Sequence, residues 1–278
     1  MITALSPAKV NLYLRVLRKR PDGYHDILTL MQRISLSDEM LFSPHHQDVV
    51  IQCPDGNLPE NEENIVYRAA RLILTQAGCR QGIQITIKKS IPLAAGLGGG
   101  SSNAATALMT INEMLDLGCS PDDLMAMGSK LGADVPFFVL KKTAWATGIG
   151  TQLTYAENIP PLWFVLINPG FPVSTKMVYE NLNLRLTKEP INYSIPRLSD
   201  VPELLSGLNN DLERVTLNFY PVLRQIKKLL IDHGASGSLM SGSGPTVFGI
   251  FEEEETAITA QKAIMAMGKW SVYRSFSI

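Results

Sequence analysis

Residues 92–104 read Pro92-Leu93-Ala94-Ala95-Gly96-Leu97-Gly98-Gly99-Gly100-Ser101-Ser102-Asn103-Ala104. This glycine-rich stretch follows a predicted strand and opens a predicted helix. Four glycines in five positions are costly to order, so they need a reason, such as the close approach of the backbone to a ligand. Successive N–H groups of such a loop, with the positive end of the helix behind it, can converge on the oxygens of a polyphosphate. The stretch therefore predicts a phosphate-binding loop, with a flexible turn as the alternative.

Two familiar phosphate-binding loops do not fit this stretch. The GxxxxGK[ST] loop needs a lysine where the chain has Gly100 before Ser101. A GxGxxG frame that starts at Gly96 meets Ser101 at its last glycine, and one that starts at Gly98 meets Asn103. The hydroxyls of Ser101 and Ser102 can instead donate hydrogen bonds to phosphate, which suits a chain with almost no net charge.

The composition excludes several functional classes. Hydrophobic residues make up 45% of the 278 residues, which is enough for a sizeable core. The formal net charge is -1, so there is no electrostatic case for a nucleic-acid or membrane partner. The three cysteines are odd in number and form no CxxC pair, so we expect free thiols. We see no signal peptide and no apolar run of membrane-spanning length, so we expect a cytoplasmic protein.

Helices and strands are mixed along the chain, without the regular alternation of a doubly wound sheet, which indicates an α+β fold. Apolar residues alternate from residue 10 to 16, so a strand there that reaches back to Lys9 would place Lys9 and Asn11 on the same side.

We place a boundary near residue 155, giving domains of residues 1–155 and 156–278. Further strands are predicted at residues 49–52, 82–88, 143–155 (interrupted at 148–150), 162–167, 246–251 and 271–276. Helices are predicted at residues 64–77, 103–115, 175–182, 211–217, 222–233 and 255–267, and another begins at a capping box at Ser120. A glycine- and serine-rich loop is predicted at residues 234–244.

Three ordered motifs carry a resemblance to a known family. They are Ser6-Pro7-Ala8-Lys9-Val10-Asn11-Leu12, the glycine-rich stretch, and Gly237-Ser238-Leu239-Met240-Ser241-Gly242-Ser243-Gly244-Pro245-Thr246. Together they resemble the motifs of the GHMP kinases, named for galacto-, homoserine, mevalonate and phosphomevalonate kinases. The resemblance implies a two-domain fold, with an N-terminal domain like a ribosomal-protein domain and a ferredoxin-like C-terminal domain. It also implies phosphorylation of a small-molecule hydroxyl by ATP with Mg²⁺, and that residues 92–102 bind ATP.

The resemblance assigns the catalytic roles to Asp134 and Lys9. Asp134 would accept or orient the proton of the substrate hydroxyl, and the lysine ammonium would stabilise charge on the transferring phosphoryl group. The alternatives are a capping or turn aspartate and a lysine that faces water at the start of a strand.

Within the family, the motifs Arg20-Pro21-Asp22-Gly23-Tyr24-His25 and Leu131-Gly132-Ala133-Asp134-Val135-Pro136-Phe137-Phe138 resemble the subgroup whose substrate is a cytidine diphosphate-linked polyol. This implies that Tyr24 and His25 bind the cytosine, because a ring can stack on a base and an imidazole can bond its edge. Tyr179 is the expected second aromatic, with a buried helix tyrosine as the alternative. Asn11 and Thr175 are further substrate-binding candidates. A homoserine- or mevalonate-type kinase is the alternative function, and Tyr24-His25 disfavours it because those substrates carry no base.

Asn64 and Lys89 resemble residues near the adenine, with a helix-start asparagine and a solvated lysine as the alternatives. The usual glutamate ligand of magnesium has no clear match, so no protein ligand of the metal is assigned. Ala94 and Ala95 stand where glycines are common in the subgroup, which predicts an intact phosphate loop with a stiffer entry. The sequence does not indicate an oligomeric state.

Overall fold

The computed structural model describes residues 1–46, 48–54, 58–182, 194–196, 198 and 200–278. In this part of the chain, helices and strands are mixed as predicted for an α+β fold. The strands are β1 (Ile2–Lys19), β2 (His25–His45), β3 (Val49–Gln52), β4 (Gly82–Lys88), β5 (Ala144–Thr147), β6 (Gln152–Tyr155), β7 (Trp163–Asn168), β8 (Asn209–Asn210), β9 (Gly237–Met240), β10 (Val247–Phe251) and β11 (Ser271–Phe276). The helices are α1 (Ile65–Gln76), α2 (Gly99–Met114), α3 (Pro121–Leu131), α4 (Val135–Leu140), α5 (Thr175–Glu180), α6 (Val201–Gly207), α7 (Asp211–Phe219), α8 (Val222–Asp232) and α9 (Glu254–Met265).

The chain forms two compact units that interleave along the sequence. Unit 1 comprises Met1–Ala8, Ser37–Ile91 and Gly98–Lys141, and unit 2 comprises Lys9–Leu36, Pro92–Leu97 and Lys142–Ile278. The glycine-rich stretch therefore contributes residues to both units. The predicted domain boundary near residue 155 stays a prediction.

Unit 1 pairs β3 parallel to β4, and β4 antiparallel to the second half of β2. The predicted alternation of β4 is confirmed, because Ile83, Ile85 and Ile87 are fully buried. The helix α2 packs against α1, α3 and α4. It is buried over much of its surface, and its alanines allow the neighbouring helices to approach closely.

Unit 2 contains an antiparallel four-stranded sheet in the order β11-β7-β10-β9. The helices α8 and α9 pack against its strands. The continuous apolar run of β7 is explained by burial of both of its faces, from Phe164 to Ile167. The first half of β2 pairs with β5, and β1 pairs with β8.

Most of the predicted elements are confirmed, and β3, β4 and β11 have the predicted bounds. The capping box at Ser120 is also confirmed, and all three cysteines are free. Six elements differ in kind or start from the sequence analysis. The helix α2 begins at Gly99 rather than residue 103, β9 lies within the expected loop, and the apolar run after Asp134 is the helix α4. The strands β2 and β8 and the helix α6 were not predicted.

Candidate functional site

The glycine-rich stretch turns sharply before α2. Gly96 and Gly98 have φ angles of 76° and 69°, in the left-handed region that favours glycine. Gly98 is the N-cap residue, so the helix begins at Gly99. The N–H groups of a first helical turn have no acceptor within their helix; the ladder begins here with Ser102 N, which donates to Gly98 O at 2.9 Å. The start of α2 therefore offers amide groups and the positive end of the helix dipole to an anion.

The residues before and after the glycines differ in exposure. Leu93 is 45% exposed, whereas Ala95 and Leu97 are buried. Ser101 is half-buried, and Ser102 is fully buried, where its Oγ accepts a hydrogen bond from Ser6 Oγ at 2.8 Å. Ser101 is thus the more accessible hydroxyl, and the phosphate contact of Ser102 stays a prediction.

Within unit 2, the entry of the glycine-rich stretch packs against the third motif. Ser241 Oγ donates to Gly96 O at 2.9 Å, and Thr246 N donates to Ala95 O at 3.3 Å. A Cβ added at Gly96 would lie 2.1 Å from Ser241 O. At this position the glycine is therefore required by a close approach of the protein's own backbone, in addition to its φ angle.

Lys9 and Asn11 lie on the same side of β1, as predicted. Lys9 Nζ donates to Asn11 Oδ1 at 2.5 Å, and Asn11 Nδ2 donates to Thr29 Oγ1 at 2.8 Å. Lys9 is only 4% exposed and Asn11 3%, so the alternative of a water-facing lysine is wrong. A buried ammonium needs partners that stabilise its charge, and this one is oriented by the neighbouring amide.

Asp134 lies in unit 1, between the C-cap Gly132 of α3 and the first residue of α4. It occupies the N-cap position of α4 and is half-buried. Among the described residues, its side chain makes no capping hydrogen bond with this helix. The capping alternative is therefore not supported, and the catalytic roles of Asp134 and Lys9 stay predictions.

The predicted base-binding residues lie in unit 2. The rings of His25 and Tyr179 have centroids 4.9 Å apart and planes inclined by 30°. Burial, together with the charge of Lys19, lowers the pKa of His25, so the imidazole is neutral near pH 7 and one ring nitrogen is an acceptor. Tyr24 is 63% exposed, which leaves its ring available to a ligand. Tyr179 is half-buried on α5 and packs against the hydrophobic core of unit 2, so both its base-binding role and the alternative of a helix tyrosine stay predictions.

The turn that carries Tyr24 is held by its own backbone and by charges. Arg20 N donates to Tyr24 O at 2.7 Å, and Tyr24 N donates to Asp22 Oδ1 at 3.1 Å. Arg20 also forms ion pairs with Asp22 and Asp26. The hydrogen bond from Arg20 lowers the pKa of Asp22, so both groups stay charged near neutral pH.

Three further candidates have defined surroundings. Asn64 is the N-cap of α1 and accepts from Val66 N at 2.9 Å, as its helix-start alternative expects. Lys89 is not a solvated lysine, because its side chain is 10% exposed and forms an ion pair with Asp38. Thr175 Oγ1 lies 2.7 Å from Ser243 Oγ, in the third motif. The adenine contacts of Asn64 and Lys89 stay predictions.

Two buried polar residues near these groups were not predicted. Asp38 is fully buried beside the glycine-rich stretch, and Asn210 is buried behind the third motif. Asn210 Nδ2 donates to Met240 O at 2.7 Å and to Gly242 O at 2.8 Å. Asp38 lies on the same face of β2 as the buried Met40 and Phe42. An acidic residue on the apolar face of a strand indicates a buried carboxylate that is paired.

In the part of the chain that the structure describes, no group of three or more His, Cys, Asp or Glu side chains could hold a metal ion. The described residues therefore do not fit a protein-built metal cage. None of the described helices is both long enough and apolar enough to span a membrane.

Comparisons with known proteins agree on one family. The model described as "GHMP kinases N terminal domain" matches residues 64–142, and that described as "GHMP kinases C terminal" matches residues 192–269. The chain is 57% identical to the 4-diphosphocytidyl-2-C-methyl-D-erythritol kinase of Syntrophus aciditrophicus, over 98% of both chains. It is 50% identical to the enzyme of the same name from Syntrophotalea carbinolica, again over 98% of both.

Solved structures give the same picture. A crystal structure of 4-(cytidine 5'-diphospho)-2C-methyl-D-erythritol kinase matches with a TM-score of 0.84 and 35% identity, over 99% of both chains. A homoserine kinase from Cytophaga hutchinsonii matches with a TM-score of 0.74 and 21% identity, over 100% of this chain and 94% of that one. The second likeness shows the fold alone.

Proposed function

The chain belongs to the GHMP kinase family and has its two-domain fold, and from this premise we propose its reaction. It transfers the γ-phosphoryl group of ATP to the 2-hydroxyl of 4-diphosphocytidyl-2-C-methyl-D-erythritol, in the methylerythritol phosphate route to isoprenoid precursors. The observation that carries the proposal is the 57% identity, over 98% of both chains, with a relative of that name. We propose that the enzyme works in the cytoplasm, with the small-molecule substrate as its partner.

The reaction needs a nucleophile, a path for its proton and compensation of charge. The 2-hydroxyl oxygen bonds to the γ-phosphorus while the bond to the β–γ bridging oxygen breaks, so ADP leaves with that electron pair. Asp134 is proposed to orient the hydroxyl and to accept its proton. Lys9, held by Asn11 at 2.5 Å, is proposed to stabilise the negative charge of the transferring group.

The nucleotide phosphates are proposed to bind at the glycine-rich stretch. The N–H groups at the start of α2 supply hydrogen bonds, and the exposed first residues of the stretch leave its backbone accessible. Magnesium is proposed to enter with ATP. It commonly keeps several waters and binds through substrate phosphates with few protein ligands, which is compatible with the lack of a metal cage in the described residues.

The cytidine end of the substrate is proposed to bind at Tyr24, His25 and Tyr179. The exposed ring of Tyr24 offers a stacking face, and the neutral imidazole of His25 can bond the edge of the base. Asn11 and Thr175 are proposed to contact the rest of the substrate. The substrates of homoserine- and mevalonate-type kinases carry no base, so these enzymes do not require aromatic residues that stack on one.

An ADP-release assay tests the substrate. The purified enzyme is given ATP, Mg²⁺ and one acceptor: 4-diphosphocytidyl-2-C-methyl-D-erythritol, mevalonate or homoserine. We expect turnover with the first acceptor alone, and turnover with only the other two would refute the proposal.

Variants of the same enzyme separate the roles. Lys9→Ala and Asp134→Ala should each lose turnover while retaining the fold, whereas Tyr24→Ala should raise KM for the cytidine substrate. Near-normal turnover in a folded Lys9→Ala or Asp134→Ala variant would remove that residue from the mechanism.

A further inference from the structure

Two neighbouring ion pairs at the end of β4 face opposite ways. The antiparallel register places Glu39 of β2 opposite Lys88, the last residue of β4. Lys89, the next residue along the chain, forms an ion pair with Asp38 of β2. Successive side chains of a strand point to opposite faces. Glu39 and Lys88 accordingly point outward, with side chains 41% and 56% exposed. Asp38 and Lys89 point inward, with side chains 0% and 10% exposed.

The inward carboxylate bonds to the last residues before the glycine-rich stretch. Asp38 Oδ1 accepts from Ser90 N and from Ile91 N, both at 2.8 Å. Asp38 Oδ2 accepts from Lys89 Nζ and from Asn103 Nδ2 at 2.9 Å. A carboxylate has about four acceptor positions, so these bonds satisfy the buried group.

The same network reaches the first turn of α2. Asn103 Nδ2 also donates to Ser6 Oγ at 2.8 Å, and Ser6 Oγ donates to Ser102 Oγ. The ammonium of Lys89 lies directly beneath the helix start, since a Cβ added at Gly99 would be 3.3 Å from its Nζ. A single buried carboxylate therefore joins the backbone at residues 90 and 91 to the side chains at the beginning of α2.

We propose that Asp38 is a positioning residue of the ATP site. It fixes the strand end before the glycine-rich stretch relative to the start of α2, and so holds the amide groups of the first turn where the phosphates bind. This rests on the proposed function, since it takes residues 92–102 as the ATP-binding loop. A purely stabilising role for Asp38 would lower the stability of the fold without selecting between ligands.

The first experiment measures the Kd of ATP with Mg²⁺, and separately the Kd of CMP, by titration calorimetry of the full chain. We expect Asp38→Asn to raise the Kd of ATP by about tenfold, the lower end of the loss seen when metal ligands lose a supporting hydrogen-bond partner. The Kd of CMP should stay within about twofold, because the hydrogen bonds that Asp38 accepts come from residues 89–91 and 103, beside the proposed ATP loop. Glu39→Gln is the matched control: it removes the same charge from the next residue of the strand, and should leave both Kd values within about twofold.

The second variant exchanges the two groups, as Asp38→Asn with Asn103→Asp. The amide at position 38 can still accept from the N–H groups of Ser90 and Ile91, and its own N–H can donate to the carboxylate at position 103. The amide nitrogen at position 38 is a donor and no longer accepts from Lys89 Nζ. The ammonium therefore turns to the carboxylate at position 103, where the wild-type Asn103 Oδ1 lies 3.3 Å from Nζ. Rotation of the hydroxyls of Ser6 and Ser102 completes the network, so this variant should recover most of the ATP affinity.

The outcomes decide between the two roles. A folded Asp38→Asn variant with unchanged ATP affinity would refute the positioning role, as would an equal loss of ATP and CMP affinity. If Asp38→Asn does not fold, the exchange variant decides: ATP affinity within about threefold of the wild type supports the role, and a larger loss in a folded protein refutes it. Failure of the wild type itself to bind ATP would instead refute the proposed function.

Discussion

The N-terminal and C-terminal ends of the glycine-rich stretch are held by different kinds of interaction. At the loop entry (residues 92–97), main-chain oxygens are the acceptors: Lys9 N donates to Leu97 O at 3.0 Å, and Thr246 N donates to Ala95 O. At the helix start (residues 98–103), buried side chains make the contacts, through Asn103 and Ser102. Main-chain bonds survive most changes of side chain, whereas each buried polar side chain leaves an unsatisfied partner when it is removed. The loop entry should therefore be sensitive mainly where a Cβ has no room, and the helix start at each of its polar residues.

The largest loss of stability is expected at Gly96, where the loop entry has no space for a Cβ atom. Gly96→Ala should destabilise the protein by about 3 kcal/mol, because its φ is left-handed and its Cβ would lie 2.1 Å from Ser241 O. Urea unfolding followed by circular dichroism measures the change. Gly100→Ala is the control at the helix start, where the nearest atom to an added Cβ is Ile65 Cγ2 at 3.8 Å. Equal losses in the two variants would contradict the steric explanation.

The next effect tests the side chains of the helix start. Ser6→Ala should cost about 2 kcal/mol, because it deprives Asn103 Nδ2 of an acceptor and Ser102 Oγ of a donor in a fully buried place. The same unfolding experiment measures it, with enzyme at equal concentration. A loss too small to detect would show that these hydroxyls do not hold the helix start.

Ser241, a serine of the third motif that bonds to the loop entry, provides the direct contrast. Ser241→Ala removes one neutral hydrogen bond to Gly96 O, and the main-chain bonds of Ala95 and Leu97 remain. We expect a loss of about 1 kcal/mol, smaller than that of Ser6→Ala. If the order of the two serine variants is reversed, side chains rather than the main chain hold the loop entry, and the comparison fails.

The same contrast explains what could be predicted from the sequence. Unusual main-chain geometry can be recognised in the sequence, because positions with left-handed φ angles favour glycine. The phosphate loop and the helix after it could therefore be predicted. The helix α2 begins four residues before its predicted start. Gly99 and Gly100 are poor helix formers, so the sequence does not indicate that they belong to the helix that follows the N-cap Gly98. Tertiary packing overrides the local preference there.

Networks of buried side chains are harder to predict from the sequence. The strand β2 was missed because residues from Leu28 to Gln32 are buried on both faces, so the alternation of an ordinary strand is lost. Without that strand, Asp38 could not be paired with Lys89. The ring contact of His25 with Tyr179 depends on packing between residues more than 150 positions apart along the sequence, which no local pattern encodes.

The smallest effect concerns Ala94 and Ala95, two neighbouring alanines of the loop entry. Ala94 has a φ of 49°, a left-handed angle that costs an alanine about 1–2 kcal/mol. Ala94→Gly relieves that strain but makes the unfolded chain more flexible, so we expect a net gain of about 0.5 kcal/mol. Ala95→Gly, a buried position that is not among the left-handed residues, should instead lose about 1 kcal/mol. Opposite signs in paired thermal and urea unfolding curves would show that the backbone angle, rather than the methyl group, sets the preference for glycine at the loop entry, whereas a loss in both would show that packing decides.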